Sequence, residues 1–220
     1  MDKFLDTIQE NFDKFRIVIK YTFIGCLIAI ALLIIFAFYC KTCNTIFKEL
    51  NSSPQKSIEK IDFLLKIVPK SSDLYFMKGL AYLNLEDYDK SLEFFKKSLE
   101  LKENSDAYSE MAVTTFKKEQ KITPKVLDLF DEAIKLSPEN PRIYQERASI
   151  YFIAGEYDNA LNDLEETYKI TQDECFIQNS AGVYLEKGDY CKAYAYYESF
   201  DKQTGNNSVY KDYAKFRCHK

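Results

Sequence analysis

The sequence predicts an all-α protein in which a single transmembrane helix near the N-terminus is followed by an α-solenoid of helix-turn-helix units with capping helices. Three observations favour this fold class. Residues 21–40 form one uncharged apolar run, and the remainder repeats with a period of about 34 residues. The composition combines 17 Tyr and 17 Phe with only 6 Gly and 5 Pro, which suits helical hairpins and does not suit a disordered chain.

The apolar run at residues 21–40 lies between Lys20 and Lys41, and as a helix it is about 30 Å long, which matches the hydrocarbon core of a bilayer. A signal peptide explains it poorly, because the apolar part of a signal peptide is shorter and precedes small residues, whereas this run ends in Phe38 and Tyr39. A buried core helix usually carries a polar stripe. We therefore expect an uncleaved, single-pass signal anchor in a bacterial cytoplasmic membrane or, alternatively, a eukaryotic organelle membrane.

The segments on either side of this run are predicted to be an amphipathic N-terminal segment (residues 1–20) and a polar linker (residues 41–53). In the N-terminal segment, apolar residues recur at helical spacing. This predicts either a helix that lies along the membrane surface or a plain extension of the span. Basic residues flank both ends of the span, so the positive-inside rule leaves the orientation open.

The 6 cysteines show no spacing typical of a disulfide-rich scaffold, which predicts that they stay reduced. Cys40 and Cys43 form a C-x-x-C pair beside the apolar run. A redox role, an acylation role and no role at all remain open for this pair, because a single C-x-x-C without a βαβ context is a weak motif.

The rest of the chain contains a two-part pattern that recurs four times. In the first part a Gly or Ala lies four positions after a Tyr or Ile, and in the second part an aromatic residue or Leu lies four positions after a smaller residue. Such residues let two helices approach closely and fill the space beside their crossing. The first parts are residues 75–82, 108–115, 144–151 and 177–184, and the second parts are residues 91–98, 126–133, 160–167 and 193–200. Extra residues before Pro124 predict a longer turn in the second unit.

These segments resemble the tetratricopeptide repeat (TPR) family, and the turns Gly155-Glu156-Tyr157 and Gly188-Asp189-Tyr190 recur at the same phase. The resemblance covers most of residues 54–201. It implies stacked hairpins whose first helices line a concave groove. The expected TPR domain spans residues 54–220, with repeats at about 72–105, 105–139, 141–173 and 174–206, a cap helix at 54–68 and a C-terminal cap helix at 208–217.

No pattern typical of catalysis is present. The one histidine, His219, is next to the C-terminus, and there is neither a Gly-rich phosphate loop nor a zinc-binding pattern. We therefore predict that the protein is not an enzyme and has no cofactor, no metal and no small-molecule substrate. The net charge of -4 gives no basic surface typical of nucleic-acid binding, so nucleic acid is not an expected partner.

The family resemblance implies a groove that is apolar with a polar fringe and suits an extended peptide or an amphipathic helix of a protein partner. Alternatively, some of its aromatic residues pack between repeats, or the C-terminal helix folds back into it. The clamp with which some family members hold the C-terminal carboxylate of chaperones is not reproduced, because the corresponding positions hold apolar or uncharged residues. The predicted partner-binding residues are Phe76, Leu80, Leu83, Val113, Phe116, Arg142, Gln145, Phe152, Ile153, Gln178 and Leu185.

These features together predict a membrane-anchored scaffold for protein–protein interactions that binds a peptide or helical partner in the concave groove. One alternative is an import or assembly receptor on an organelle, similar to the mitochondrial outer-membrane receptors that join an N-terminal anchor to such repeats. Another is a structural subunit of a membrane complex. Fold alone does not decide among these functions.

Overall fold

The computed structural model describes residues 29–30, 32–35 and 37–219, and all regular secondary structure within these residues is α-helical. The predicted all-helical class is confirmed for this part of the chain. The first helix, α1, includes residues 29–30, 32–35 and 37–49. The helices that follow are α2 (Pro54–Ile67), α3 (Ser72–Asn84), α4 (Tyr88–Leu101), α5 (Ser105–Glu119), α6 (Pro124–Leu136), α7 (Pro141–Ile153), α8 (Tyr157–Thr171), α9 (Cys175–Lys187), α10 (Tyr190–Thr204) and α11 (Lys211–Cys218).

Consecutive helices pair into hairpins, because connections of a few residues place neighbouring helices antiparallel. Helix α3 packs on α4, α5 on α6, α7 on α8 and α9 on α10, and α11 also packs on α10. Adjacent hairpins stack through α4 with α5 and α8 with α9, while the first helices α5 and α7 also touch. The described chain is therefore an α-solenoid, in which the first helices α5 and α7 of adjacent hairpins lie side by side.

Small residues allow the two helices of each hairpin to approach closely. Ala81, Ala112 and Ala181 are fully buried. The approach is especially tight at Gly79, where an added Cβ atom would lie 2.5 Å from Cδ1 of Phe95. The buried apolar residues form separate clusters that follow one another along the stack, as expected for an array in which each repeat contacts its neighbours.

The ends of the helices follow the turn motifs of the sequence. The carboxylates of Asp87 and Asp189 accept hydrogen bonds from backbone N–H groups in the first turns of α4 and α10 and so cap these helices. Gly188 ends α9 with a φ angle of 84°, in the left-handed region that favours glycine. Helix α6 begins at Pro124, after a connection at residues 120–123 that is longer than the equivalent connection at residues 154–156.

A buried ion pair fixes α7 on α8. Arg147 donates from Nε and Nη2 to the two carboxylate oxygens of Asp163, at 2.9 and 2.8 Å, and from Nη1 to Asp131 at 3.2 Å. Burial raises the pKa of Asp163, and the hydrogen bonds from Arg147 oppose that rise. Because a bidentate arginine–carboxylate pair defines both distance and orientation, it sets how α7 lies on α8.

Residues 41–49 are helical, although the sequence pattern predicts a polar linker there. Ile46 of α1 is fully buried and packs with Ile58 and Ile61 of α2, so these two helices form a further hairpin. Helix α2 is therefore not the unpaired cap that the sequence indicates. The pattern missed this hairpin because Cys43, and not Gly or Ala, lies four positions after Tyr39 in its first helix. Only the packing of α1 on α2 reveals the hairpin.

The predicted transmembrane helix at residues 21–40 is not supported. The predicted amphipathic segment (residues 1–20) and residues 21–28, 31 and 36 lie outside the described residues. In the part of the chain that is described, no helix combines the length and the apolar character that crossing a bilayer requires. This finding overturns the predicted localisation, a single-pass protein of a bacterial cytoplasmic or an organelle membrane. The apolar run alone predicted the span, and hydrophobicity by itself does not define a helix that crosses a bilayer.

Cys191 and Cys218 form a disulfide that the spacing of the cysteines does not predict. They lie on α10 and at the end of α11, are 27 positions apart in sequence, and have Cα atoms 4.7 Å apart. Cys40, Cys43 and Cys175 are free. The prediction that the cysteines stay reduced is therefore wrong for this pair, because the packing of α11 on α10, and no local spacing, brings the two sulfur atoms together.

Candidate functional site

The predicted groove residues of the N-terminal half pack mostly inside the repeats. Leu83 and Phe116 are only 7% and 6% exposed. Phe76 lies against a core phenylalanine of α4, with ring centroids 5.6 Å apart, and Leu80 and Val113 pack against buried clusters. In the N-terminal half, therefore, the predicted groove side chains pack within and between repeats, as the alternative interpretation of the sequence proposed.

Arg142 and Gln145 lie in the middle of the solenoid, where α7 faces α5. The guanidinium of Arg142 pairs with Glu110 through Nη2, and with Glu146 through Nε at 2.7 Å. The hydroxyl of Ser109 donates a hydrogen bond to the same Glu146 carboxylate. Gln145 is half-buried. Because two carboxyl groups of the chain already contact the guanidinium of Arg142, this residue is poorly available to a partner.

Glu110 is a buried acid at the contact between α5 and α7, where it is 6% exposed. The loss of hydration raises the pKa of Glu110 to about 7, the negative charge of Glu146 adds to the rise, and the guanidinium of Arg142 opposes it. The titration of Glu110 therefore takes place between two adjacent repeats and bears on how they stack.

A groove of about 710 Å³ opens between α7 and α9 in the C-terminal half of the solenoid. We call it the C-terminal groove. Four of the predicted partner-binding residues line it together, namely Phe152, Ile153, Gln178 and Leu185. Phe152 and Ile153 are 38% and 69% exposed. Large apolar side chains that stay exposed in a concave surface mark a site where another molecule binds.

The sequence pattern missed several residues of the C-terminal groove. Asn179 and Gly182 line it beside Gln178. Gly182 lies one helical turn beyond Gln178, so an extension of the helical spacing would have indicated it. Tyr210 lines the groove from the connection that precedes α11. No local signal indicates Tyr210, because its position depends on how α11 folds back onto α10.

The C-terminal groove has an apolar floor with a polar and acidic rim. Ser149, Gln178 and Asn179 contribute uncharged hydrogen-bonding groups. Glu186 is the one charged residue among the described residues that line the groove, and it forms no ion pair with any described residue. The groove therefore offers apolar surface together with an available carboxylate.

A smaller hollow of about 310 Å³ lies between α8, α9 and α10. Its lining includes Tyr168, Tyr184, Tyr196 and the carboxylates of Asp158 and Glu165. Both carboxylates pair with lysines of the chain, and the ammonium group of a further lysine lies 5.2 Å from the ring centroid of Tyr184. Because its charges are already matched internally, this hollow is the weaker candidate for a partner.

The chemistry available in the C-terminal groove is that of binding. Within the described ranges, no cluster of three or more His, Cys, Asp or Glu side chains is placed to hold a metal ion. The described residues of the groove lining include neither histidine nor cysteine. Apolar contact, hydrogen bonding and one carboxylate are what the groove presents to another molecule.

Comparison with known proteins supports the tetratricopeptide repeat family for this chain. Residues 72–105 and residues 127–174 each match a family model described as a tetratricopeptide repeat. The Photosystem I assembly protein Ycf3 of Prochlorococcus marinus is 26% identical over 155 residues, which cover 66% of this chain and 86% of that protein.

Solved structures share the same fold. The C-terminal part of a TPR repeat-containing protein from Cytophaga hutchinsonii superposes with a TM-score of 0.64 and 17% identity, covering 80% of this chain and 70% of that one. Residues 41 to the end of MamA from Desulfovibrio magneticus RS-1 give a TM-score of 0.59 and 16% identity, covering 76% of this chain and 96% of that one. At these identities the similarity concerns the fold alone.

Proposed function

We propose that this chain, whose residues 72–105 and 127–174 are tetratricopeptide repeats, is a protein–protein interaction scaffold that holds an amphipathic segment of a partner protein in the C-terminal groove. Proteins built from these repeats are generally non-enzymatic scaffolds that bind protein partners. The geometry of the groove supports a binding role, whereas the corresponding side chains of the described N-terminal repeats, such as Leu83 and Phe116, pack within or between helices.

The exposure of Phe152 and Ile153 is the observation that carries this proposal. Each side chain keeps more than a third of its surface exposed although both lie on a helix that is otherwise packed on both sides. Covering one such side chain with a partner contributes on the order of 1–2 kcal/mol of hydrophobic free energy. A partner that presents apolar residues on one face covers both at once.

The charge of the groove indicates what accompanies the apolar residues of the partner. Glu186 is an exposed carboxylate without an ion pair in the described chain. A Lys or Arg of the partner opposite it forms a charge-assisted hydrogen bond. The amide side chains of Gln178 and Asn179 serve as both donors and acceptors. We therefore expect the partner segment to be amphipathic, with a basic residue beside its apolar face.

A role in assembling a multiprotein complex is a second candidate. The relative Ycf3 is named a Photosystem I assembly protein, and the aligned region covers 66% of this chain. In this version of the proposal the groove holds one subunit of a complex until other subunits replace the scaffold. Cells that lack the chain then accumulate an unassembled subunit, which native gel electrophoresis detects. Unchanged complexes would argue against this candidate.

The import-receptor alternative depended on the membrane anchor and has lost that basis.

The groove is tested by two matched substitutions. Ile153 and Ile67 are both the last residue of their helix and are 69% and 56% exposed, but only Ile153 lines the C-terminal groove. Peptides selected from a displayed library on the full chain should bind I153D at least about tenfold more weakly, because a carboxylate in the apolar floor is desolvated by the partner. I67D should bind them as the parent chain does.

The measurement is peptide affinity by fluorescence anisotropy, with the unfolding midpoint of each variant as a check on the fold. Selected peptides that bind I153D and the parent chain equally would show that the partner surface lies elsewhere. The same selection tests the charge of the partner. Enrichment of Lys and Arg beside apolar residues is expected, and enrichment of Asp and Glu would contradict the role assigned to Glu186.

A further inference from the structure

We infer that the Cys191–Cys218 disulfide is a redox latch that keeps α11 on the end of the solenoid and thereby keeps Tyr210 in place as one wall of the C-terminal groove. Reduction of the disulfide frees the C-terminal segment, removes that wall and weakens partner binding. The consequence for binding rests on the proposed function, whereas the release of α11 does not depend on it.

Helix α11 depends on its attachments because it is short and has little core of its own. It spans Lys211–Cys218, and Ala214 is its buried residue. A helix of this length does not persist in water without tertiary contacts. The apolar surface that Ala214 buries against α10 is small, so covalent attachment through Cys218 makes a large difference to how long α11 stays docked.

The other attachments of α11 are aromatic and polar. The ring of Tyr213, which is 47% exposed, meets that of Tyr190 edge-on with centroids 6.1 Å apart. At the beginning of α11, the carboxylate of Asp201 accepts hydrogen bonds from the backbone N–H and hydroxyl of Ser208 and pairs with Lys211 at 2.6 Å. Near its end, the guanidinium of Arg217 lies 4.6 Å from the ring centroid of Tyr190. The contact of Arg217 lies at the surface and contributes little, and the loss of hydration at the buried Asp201 offsets much of its attraction to Lys211. Thermal fluctuations that separate α11 from α10 break these contacts, but they do not break the covalent disulfide.

Tyr210 connects the latch to the groove. It precedes the first residue of α11 and lines the C-terminal groove together with Phe152 and Ile153. Its ring centroid lies 6.5 Å from that of Tyr197, which is buried beneath it. Tyr210 is 59% exposed and belongs to the segment that the disulfide constrains. Tyr210 therefore stays in place only as long as α11 stays docked.

The reaction is thiol–disulfide exchange with a dithiol reductant such as dithiothreitol. A thiolate of the reductant attacks Sγ of Cys191, which is exposed, and the bond to Sγ of Cys218 breaks as that sulfur leaves as a thiolate. The second thiol of the reductant then displaces Sγ of Cys191 and closes a ring disulfide. Two electrons pass from the reductant to the protein, and the two cysteine sulfurs take up protons.

The test compares the full chain in its oxidised and dithiothreitol-reduced forms by amide hydrogen exchange. Amides of residues 206–218 should exchange at least about tenfold faster after reduction, while amides of α3 to α6 stay unchanged. A double variant, Cys191→Ser with Cys218→Ser, should behave as the reduced chain without any reductant. Cys175→Ser is the control, because Cys175 is exposed and free, and it should leave both the exchange and its response to reductant unchanged.

Binding is measured in the same two states with a peptide selected on the oxidised chain. Its affinity should fall about tenfold on reduction and recover when the disulfide is re-formed. Unchanged exchange of residues 206–218 after reduction would overturn the latch. Faster exchange with an unchanged peptide affinity would overturn the assignment of Tyr210 as a groove wall. A third outcome is faster exchange while no selected peptide loses affinity in I153D. This outcome would contradict the proposed function but would still establish the release of α11.

Discussion

At the scale of single residues, Gly79 decides how closely α3 and α4 approach. A Cβ atom at this position would lie 2.5 Å from Cδ1 and 2.6 Å from Cε1 of the core residue Phe95. Non-bonded contacts this short are essentially never seen at real Cβ atoms, so the ring or a helix would have to move. At Gly182 of α9, in contrast, the nearest atom to an added Cβ is the hydroxyl oxygen of Tyr197 at 3.9 Å, an ordinary contact.

Gly79→Ala should therefore destabilise the fold, and Gly182→Ala should not. We expect the free energy of unfolding to fall by about 1–3 kcal/mol for Gly79→Ala, because overpacking of the Phe95 ring outweighs the better helix propensity of alanine. Gly182→Ala should leave it unchanged or raise it by up to about 1 kcal/mol. Urea denaturation followed by far-UV circular dichroism measures both, and equal effects would contradict the close approach at Gly79.

At the scale of single helices, the Gly-Asp-Tyr and Gly-Glu-Tyr turns differ in how they begin the second helix of a hairpin. The carboxylate of Asp189 accepts a hydrogen bond from the backbone N–H of Lys192 at 3.3 Å and caps α10. Glu156 occupies the equivalent position before α8, but its side chain forms no cap hydrogen bond. The longer side chain of glutamate places its carboxylate too far from the backbone for this contact.

Asp189→Ala should cost about 1 kcal/mol of stability, since it leaves a backbone N–H group of the first turn unsatisfied. Asp189→Asn keeps a side-chain oxygen in place and should cost much less. Glu156→Ala should lie within about 0.5 kcal/mol of the parent chain, as is typical of exposed substitutions. Thermal unfolding by calorimetry orders the three variants, and a larger effect at Glu156 than at Asp189 would refute the capping argument.

At the scale of the whole molecule, the contact between α5 and α7 makes the stability of the stack depend on pH. Burial raises the pKa of Glu110 from 4.5 to about 7, with a contribution from Glu146, while Arg142 and Lys117 lower it. Between about pH 4.5 and 7 the folded chain therefore keeps a proton that the unfolded chain has lost. The free energy of unfolding should accordingly fall as the pH rises through this interval.

The expected loss of stability from this one group is up to about 3 kcal/mol between pH 4.5 and 7.5. Glu110→Gln should remove this part of the pH dependence, because a glutamine amide does not ionise in this pH range. Glu59→Gln is a suitable control, since Glu59 is exposed on α2 and its substitution should leave the pH profile of the parent chain unchanged. Chemical denaturation at a series of pH values gives the measurement. A Glu110→Gln profile as steep as that of the parent chain would show that other groups cause it.

The repeat pattern predicted the hairpins, and it predicted the groove only in part. Phe152, Ile153, Gln178 and Leu185 are brought together as expected, but Phe116 is buried in the cluster of α5, α6 and α7. Helical spacing shows which side of a first helix faces inward. It does not show whether the neighbouring repeat covers that side, because coverage depends on the angle between successive hairpins.

By itself the sequence determined the helical class and the four recurring hairpins, because these follow from spacing within a few turns of one chain segment. Only the tertiary structure decided that α1 pairs with α2, that Tyr210 lines the groove and that Cys191 meets Cys218. It also withdrew the membrane span that an apolar run had indicated, within the described part of the chain. The contacts of α1, Tyr210 and Cys191 depend on which distant segments of the chain meet in three dimensions. Local residue spacing carries no information about such contacts.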